Sequence, residues 1–333
     1  GTFGKGDYFV FYAEGPVSWN YDSTTKHYKH VKNLYEDKGY YLLNFDGEAG
    51  KRIGTQDAAP TPNVTVNNYD DYVVFDEDDI SPAKFGKTWW WKEEFSNNIG
   101  KSTQHTVNMD LGDNTGLAYF KMRASSSCSS PNSTLNATIN GQPGGNFVFY
   151  AATDNILVGD TNRPFDQNDV SDWTTVVTGQ VPINITYQPT ATDGRAFLDY
   201  IEANVRRPLA FRGSAVNFRD ASSVANGNVA SFELGNANSN TQVWDVTDPQ
   251  NPVRMKGTLN GSTYAFSQDA GTLHEHTALN SDQLTVPEYA GTVDNQNLQG
   301  QDQTDMVIVS HPDFLNAANE IADFHRNHDH IRV

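Results

Sequence analysis

The fold class is decided by residues 105–123, which read HTVNMDLGDNTGLAYFKMR. Polar and apolar residues alternate on both sides of the turn Gly112-Asp113-Asn114, as they do in a hairpin of half-buried strands. Similar short runs follow at 135–140, 146–150, 173–177, 182–187 and 197–205. Strands at this spacing, separated by turn residues, predict a jelly-roll-like β-sandwich over residues 99–212.

Sequence rich in predicted strands also flanks this sandwich. Residues 1–98 form a predicted β-rich N-terminal domain, with strands expected at Tyr8–Ala13, Tyr40–Phe45 and Tyr72–Phe75. Residues 213–303 form a predicted β-rich connecting domain, with strands expected at Val229–Leu234 and Thr241–Val246. The predicted fold class is therefore mainly β and multidomain, with β-sandwich modules.

Residues 304–333 differ in kind from the rest. Met306–Val309 is a continuous apolar run, typical of a parallel strand that is covered on both faces. Apolar residues then recur at helical spacing from Phe314 to Phe324, and Ile331–Val333 resembles the start of another strand. We therefore expect the first strand and helix of an α/β domain that continues beyond Val333, so that the chain is the front part of a larger protein.

Charge and composition exclude several classes of function. The 333 residues have a formal net charge of -18, with 23 Lys and Arg against 41 Asp and Glu. No basic stripe marks a nucleic-acid surface, and no apolar run approaches the ~20 residues of a membrane helix. The single cysteine excludes an intrachain disulfide, which favours a bacterial surface protein or a cytosolic protein over a secreted eukaryotic module.

That cysteine, Cys128, is the first candidate for chemistry. A catalytic thiolate needs a histidine partner, and none is close to Cys128 in the sequence. The residue lies in the polar run Ser125–Ser130, which is predicted to be a loop between two strands, and we interpret it as having no catalytic role. Phosphate loops, His-Glu-x-x-His and Gly-x-Ser-x-Gly are absent from the sequence. We therefore assign no catalytic, cofactor-binding or metal-binding residue.

Two groups of histidines have a spacing that could suit metal ligands. His274 and His276 would share one face of a strand, but a half-exposed strand face without a metal is the favoured interpretation. The second group consists of His325, His328, Asp329 and His330. It could bind a transition metal, but a solvated turn after the helix is the favoured interpretation.

An acidic run and an aromatic run complete the candidates. Asp76–Asp79 is dense enough to attract calcium, yet it lacks the spaced ligands of an EF-hand loop. Trp89–Trp91 could stack on a sugar, although packing against a neighbouring domain is the favoured interpretation. Because successive side chains of a strand point to opposite faces, we expect at least one of the three tryptophans to face outward or to lie in a loop.

Several short motifs follow one another along nearly the whole chain. They are Gly6–Tyr8, Phe11–Pro16 with Trp19, His30, Asn33, Tyr35, Tyr40-Tyr41, Gly50–Ile53, Leu198–Ile201, Val243–Pro249, Asn295–Leu298, and Asp305–Phe314 with Ala322 and Phe324-His325. In this order they resemble the region upstream of the peptidase domain in PorU-like sortases, gingipain-type cysteine peptidases of the bacterial type IX secretion system. The run Trp89–Glu94 departs from the family pattern, which has a glycine just before the glutamate.

This resemblance implies that the chemistry lies elsewhere in the protein. In the family, a histidine and a cysteine of the downstream α/β domain cleave the peptide bond ahead of a cargo protein's C-terminal secretion signal. The acyl-enzyme then passes to water or to an amine on lipopolysaccharide, which anchors the cargo outside the cell. The chain has no His-Gly dipeptide, and Cys128 precedes all of the α/β sequence. We therefore expect the catalytic pair beyond Val333.

The resulting hypothesis is a non-catalytic N-terminal platform of such a sortase at the bacterial cell surface or outer membrane. Its expected partners are its own downstream peptidase domain, cargo C-terminal signal domains and other type IX secretion components. We expect no nucleic-acid partner, no membrane-spanning segment and no cofactor. The alternative is a surface adhesin or carbohydrate-binding β-sandwich that uses Trp89, Trp90 and Trp91. A calcium-dependent structural module is a third hypothesis.

Overall fold

The computed structural model describes residues 8–43, 50–82, 88–152, 169–293, 297, 300 and 302–333. The chain divides into two units, Gly1–Thr285 and Val286–Val333. The strands of the described residues all belong to the first unit, and their one α-helix belongs to the second. The predicted fold class, mainly β with sandwich modules, is confirmed.

The strands are numbered in chain order. The first ten are β1 Val17–Asp22, β2 His27–Lys32, β3 Gly54–Gln56, β4 Val64–Val66, β5 Asn68–Asp76, β6 Phe95–Ser96, β7 Gln104–Asp110, β8 Leu117–Ser127, β9 Ser133–Ile139 and β10 Gln142–Phe149. The others are β11 Asp169–Val176, β12 Gln180–Gln188, β13 Arg195–Pro208, β14 Ala215–Phe218, β15 Val229–Leu234, β16 Thr241–Asp245, β17 Val253–Met255, β18 Thr258–Asn260, β19 Thr263–Asp269 and β20 His276–Asn280.

Two antiparallel sheets form the first sandwich. One has the strand order β10-β9-β12-β7, and the other has the order β11-β8-β13-β5 with β6 beside β13. Alternate residues face the space between the sheets, so that Val181, Ile183 and Ile185 of β12 are buried, while the residues next to them in sequence are exposed or, for Thr186, half-buried. The two inner faces pack together as one hydrophobic core, which accounts for the period-two pattern in the sequence.

A second sandwich follows, with the sheet orders β14-β20-β16-β17-β3 and β18-β19-β15-β4. Strands β3 and β4, which precede the first sandwich in the sequence, pair in parallel with β17 and β15. Phe218, Phe232 and Phe266 lie at the centre of its core. Strands from residues 1–98 therefore contribute to both sandwiches, because β5 also pairs with β13.

A hairpin of β1 and β2 covers the outer face of the β11-β8-β13-β5 sheet. The Tyr28 amide donates to Asn204 Oδ1 at 2.6 Å, and Asn204 Nδ2 donates to the Tyr28 carbonyl at 3.0 Å. Trp19 stacks on Tyr72 of β5, with ring centroids 4.0 Å apart. Polar residues of β13 such as Asn204 thus face the hairpin, whereas their neighbour Ala203 faces the core of the sandwich.

Some of the predicted strands are wrong. Residues 8–13 and 40–43 form no strand, and Asn44 and Phe45 lie outside the described residues. A strand needs a hydrogen-bonded neighbour, and in the described part of the chain neither segment pairs with one. The loop predicted at Ser125–Ser130 is wrong in its first half, since β8 continues through Ser127 and its last three serines are buried. The strand predicted at Tyr72–Phe75 is confirmed as part of β5.

The second unit contains the predicted helix, α1, at Leu315–Phe324. A 3₁₀ turn at Pro312–Phe314 precedes it and a π-helical turn at His325–Asp329 follows it. None of the helices in the described part of the chain has the length and hydropathy that a membrane-spanning helix needs.

The apolar run before this helix is not a strand. Met306–Val309 has no strand partner among the described residues, and neither has Ile331–Val333. The amides of Asp305 and Met306 both donate to the Arg332 carbonyl, and the Arg332 amide donates back to the Asp305 carboxylate, so in the described structure the backbone-to-backbone bonds between the two segments all go to one carbonyl. A ladder of several such bonds would be needed for a strand, so the strands predicted here are not formed within this unit.

Candidate functional site

Cys128 follows β8 and is buried, with its backbone paired to Ala152. Its Sγ lies 3.7 Å from Thr190 Oγ1. Burial raises the pKa of the thiol, but hydrogen bonds from Ser133 and the Ser130 backbone outweigh this effect and lower the pKa overall. The polar contacts of this thiol in the described structure thus come from hydroxyl and backbone groups, not from the histidine that a catalytic cysteine uses.

His274 and His276 lie near each other, with ring centroids 6.2 Å apart, but the prediction of a half-exposed strand face is wrong. His276 is fully buried in β20, stacks on Phe218 at 5.0 Å and lies 2.7 Å from Gln268 Oε1 through its Nε2. Burial lowers the pKa of His276 to about 3, so it is neutral at physiological pH. His274 precedes the strand, and its Nδ1 lies 2.8 Å from Asp245 Oδ2. Both rings pack and hydrogen-bond within the second sandwich, where the buried Nδ1 of His276 has no hydrogen-bond partner among the described residues.

The histidines of the second unit form a local turn, as predicted. Asp329 lies between two of them, with its oxygens 2.5 Å from His325 Nδ1 and 2.8 Å from His328 Nδ1. His330 ends the π-helical turn in the left-handed conformation, with φ of 56°. The hydrogen-bonding capacity of the Asp329 carboxylate is therefore used by histidines of the same turn.

The three tryptophans divide between core and surface. Trp90 is 1% exposed and its backbone forms a β-bridge with Ile80, while Trp91 packs edge-on against Phe75. Trp89 is 45% exposed. The expectation that at least one tryptophan faces outward is confirmed, and of the three only Trp89 presents a large surface for stacking on a ligand.

The acidic run comes together with a residue that is distant in sequence. Asp76 and Asp78 lie beside Asp199 of β13, with a carboxylate oxygen of each within 4.8 Å of the others. Lys32 Nζ lies 2.9 Å from Asp78 Oδ2 and 3.5 Å from Asp76 Oδ1, and Arg123 forms an ion pair with Asp199. These carboxylates are therefore neutralised by side chains of the protein.

These groups line a cleft between β2 of the hairpin and the strands β5, β8 and β13, with a volume of about 370 Å³. We call it the charged cleft. Its basic residues are Lys29, His30, Lys32, Lys121 and Arg123. Its acidic residues are Asp76, Asp78, Asp199 and Glu202. Trp89, Tyr200, Leu34 and Thr88 complete the lining, which in the described structure includes no cysteine or serine.

His30 lies at the base of the charged cleft and joins the hairpin to the sheet. Its Nε2 is 2.7 Å from Asp76 Oδ2 and its Nδ1 is 2.5 Å from Glu202 Oε1. Burial alone would lower the pKa of His30, but hydrogen bonds to Asp76 and Glu202 raise it to about 9. Since both ring nitrogens face carboxylate oxygens, the doubly protonated imidazolium is the form that satisfies both.

Asp199 is the acidic group most disturbed by this environment. Burial raises its pKa to about 6, against the lowering effect of the Arg123 charge. The neighbouring Tyr200 packs edge-on against His30, with ring centroids 4.7 Å apart. The base of the cleft is thus a set of fixed, paired charges, an arrangement suited to orienting a polar ligand.

As candidates for a site, sequence reasoning identified only the acidic run and Trp89 among these residues, whereas His30, Asp199 and Tyr200 entered only as parts of the motifs that carry the resemblance. On β13 a signal was present, because Glu202 alternates with the apolar residues Ile201 and Ala203 that face the core. On β2 neither face is apolar, so His30 and Lys32 carried no such signal. Glu202 is only 2% exposed, and a buried charged residue at such a position points to a partner across the interface.

The sequence matches no family model and no curated protein. A search of solved structures does find a likeness, the dimeric latent PorU from Porphyromonas gingivalis, with a TM-score of 0.78 and 22% sequence identity. The match covers 97% of this chain and 30% of that chain.

Two other solved structures show weaker likeness. A carbohydrate-binding module, CBM36, in complex with calcium and xylotriose has a TM-score of 0.23 and 17% identity over 33% of this chain and 77% of that chain. PNGase F, a glycosylasparaginase from Flavobacterium meningosepticum, has a TM-score of 0.25 and 10% identity over 64% of this chain and 96% of that chain. Scores this low do not indicate a shared fold. The chain therefore has a PorU-like fold and corresponds to 30% of the length of the PorU chain.

Proposed function

We propose that this chain is the non-catalytic N-terminal platform of a PorU-like cysteine peptidase of the bacterial cell surface. The likeness of fold over 97% of the chain, at a TM-score of 0.78, is the observation that carries the proposal. The ordered sequence motifs that resemble PorU-like sortases support it independently, because they extend from Gly6 to His325.

On this proposal the complete protein removes C-terminal secretion signals from type IX cargo proteins and helps to anchor the cargo to lipopolysaccharide. The platform supports the downstream peptidase domain, and it contacts cargo signal domains or other components of the secretion system. The buried setting of Cys128 supports a division of labour in which the nucleophile and its histidine belong to the downstream domain.

The proposal is tested on the product of the whole native gene. The reading frame is followed past Val333, and the full-length protein is assayed for cleavage of a cargo C-terminal signal domain. We expect an α/β domain with a histidine followed by a cysteine, and loss of cleavage when that cysteine is replaced by alanine. Cys128→Ala is the matched control, and it should leave the cleavage rate unchanged.

Two results would contradict the proposal. One is a reading frame without an α/β peptidase domain. The other is cleavage that depends on Cys128 and not on a downstream cysteine.

The role in docking has its own measurement. The chain is immobilised, and binding of a purified cargo signal domain is compared with binding of the same cargo protein without its signal. Binding that requires the signal supports docking on the platform, whereas equal or absent binding reduces the platform to a support for the peptidase domain.

A further inference from the structure

We infer that the charged cleft binds a neutral saccharide unit, with the sugar ring stacked on Trp89 and its hydroxyls bonded to the side chains around it. This goes beyond the proposed platform function and does not depend on it. Three observations support this inference: the balance of charge in the cleft, the polar groups there that remain available to a ligand, and one exposed tryptophan in the lining.

The five basic side chains that line the cleft are balanced in number by its four carboxylates together with Asp22, and most of these charges are paired within the protein. Lys32 pairs with Asp76 and Asp78, Arg123 pairs with Asp199, and His30 lies between Asp76 and Glu202. Lys29 pairs with Asp22 of the hairpin at 2.6 Å. Because these charges balance, a strongly charged ligand would leave one uncompensated charge in a partly buried site even if it paired with Lys121, and this is costly. A neutral ligand leaves all of these pairs in place.

The cleft nevertheless offers both a donor and an acceptor to a ligand. Among the described residues no hydrogen bond or ion pair engages the Lys121 ammonium, which lines the cleft. Asp78 is 31% exposed at its side chain, and only its Oδ2 contacts Lys32. A sugar hydroxyl donates and accepts at once, so a ring with several hydroxyls can use the lysine and the free carboxylate oxygen together.

Trp89 lines the same cleft, and the two residues that follow it are hydrogen-bonded to other parts of the protein. The Trp90 amide donates to the Ile80 carbonyl at 2.8 Å, and the Trp91 amide donates to the Leu198 carbonyl at 2.9 Å. The buried ring of Trp90 anchors this segment in the protein. The backbone that follows Trp89 is therefore fixed in the fold, which reduces the entropy that this segment loses on binding.

Shape and surface agree with this class of ligand. The face of an aromatic ring carries partial negative charge and attracts the C–H groups on the apolar face of a sugar ring. The volume of about 370 Å³ lies within the range of small-molecule sites and leaves room for one or two sugar rings.

The test measures binding to the protein by ligand-observed NMR and calorimetry. The probes are neutral sugars (glucose, galactose, mannose, N-acetylglucosamine and their disaccharides), with glucuronate, glucosamine and calcium chloride as charged comparisons. We expect at least one neutral sugar to bind more tightly than every charged probe. Trp89→Ala and Asp78→Asn should each weaken that binding about tenfold or more.

Tyr150→Ala is the control, because Tyr150 is an exposed aromatic residue beside β10 in the opposite sheet of the sandwich. It should leave sugar binding unchanged, and the melting temperature of each variant shows that it is folded. If Trp89→Ala does not fold, the effect on sugar binding is measured with Trp89→Phe and Asp78→Asn instead. The inference is overturned if no neutral sugar binds, or if a charged probe binds more tightly than every neutral sugar. It is also overturned if the folded Trp89 and Asp78 variants bind the sugar as tightly as the wild type.

None of these outcomes bears on the cleavage assay of the platform proposal.

Discussion

The substitution His30→Gln removes a charged side chain that contacts both Asp76 and Glu202 where the hairpin meets the sheet. In the native protein the His30 pKa is about 9, whereas in the unfolded chain it returns to about 6.5. Between these pH values the native state binds one more proton than the unfolded state, so the free energy of unfolding falls as pH rises. This difference in pKa corresponds to a contribution of about 3 kcal/mol to the free energy of unfolding. The contribution is present in full below pH ~6.5 and is lost above pH ~9.

We therefore expect His30→Gln to lower the free energy of unfolding by about 3 kcal/mol near pH 6, and by much less above pH ~9. Glutamine carries no charge and has a single amide group, so it cannot replace an imidazolium that donates from opposite sides of a ring. Because the histidine side chain is 7% exposed, screening by solvent reduces this effect little.

Two measurements check this prediction. Urea denaturation of the wild type and the variant across this pH range gives the difference in stability, and NMR titration of the imidazole gives the His30 pKa directly. His311→Gln, an exposed histidine of the second unit, controls for the loss of a histidine elsewhere. The reasoning is refuted if the measured pKa of His30 is below 7, or if the stability difference between wild type and variant is the same at every pH.

Three further predictions concern other parts of the first unit. Arg219→Met removes a buried guanidinium that pairs with Glu275 at 2.7 Å, and we expect urea denaturation to show a loss of about 3 kcal/mol. Gly145→Ala places a Cβ 2.8 Å from the Trp173 ring, which should cost about 1–3 kcal/mol and lower the melting temperature. Cys128 is buried and should react with a thiol reagent far more slowly in the native protein than in urea, and a similar rate in both would contradict its burial.

The strands of the first sandwich could be predicted because each has one apolar face and one polar face. In β12, Val181, Ile183 and Ile185 alternate with polar residues, and this period appears directly in the sequence. The buried serines at the end of β8 could not be predicted in this way. Ser126 is accommodated because its Oγ bonds to Tyr187 OH at 2.8 Å and to the Arg195 carbonyl at 3.0 Å, and these partners become neighbours only after folding.

The strands predicted at Tyr8–Ala13 and Tyr40–Phe45 show the opposite error. Their composition favours strands, but composition does not supply a neighbouring strand, and residues 8–13 and 40–43 pair with none in the described structure. Strand propensity is realised only where a sheet edge is available, and that information is not local.

The charged cleft lay beyond sequence reasoning for the same reason. His30 is 172 positions from Glu202 and 46 positions from Asp76. They meet because β5 and β8 flank β13 and the hairpin lies over all three, an arrangement that no single segment specifies. Trp89 was identified from sequence, but its position at a polar cleft required the fold.

The position of the cleft between hairpin and sheet also links ligand binding to hairpin docking. Lys29, His30 and Lys32 come from β2, whereas Asp199 and Glu202 come from β13, so the site is complete only while the hairpin is docked. A ligand at a hundredfold excess over its Kd would stabilise the docked state by about 2.7 kcal/mol, similar to the contribution expected from His30. Saturating sugar should therefore slow hydrogen exchange of the β2 amides, and raising the pH above ~9 should weaken sugar binding as the imidazolium loses its proton. Sugar binding that left exchange of the β2 amides unchanged would place the ligand outside the cleft.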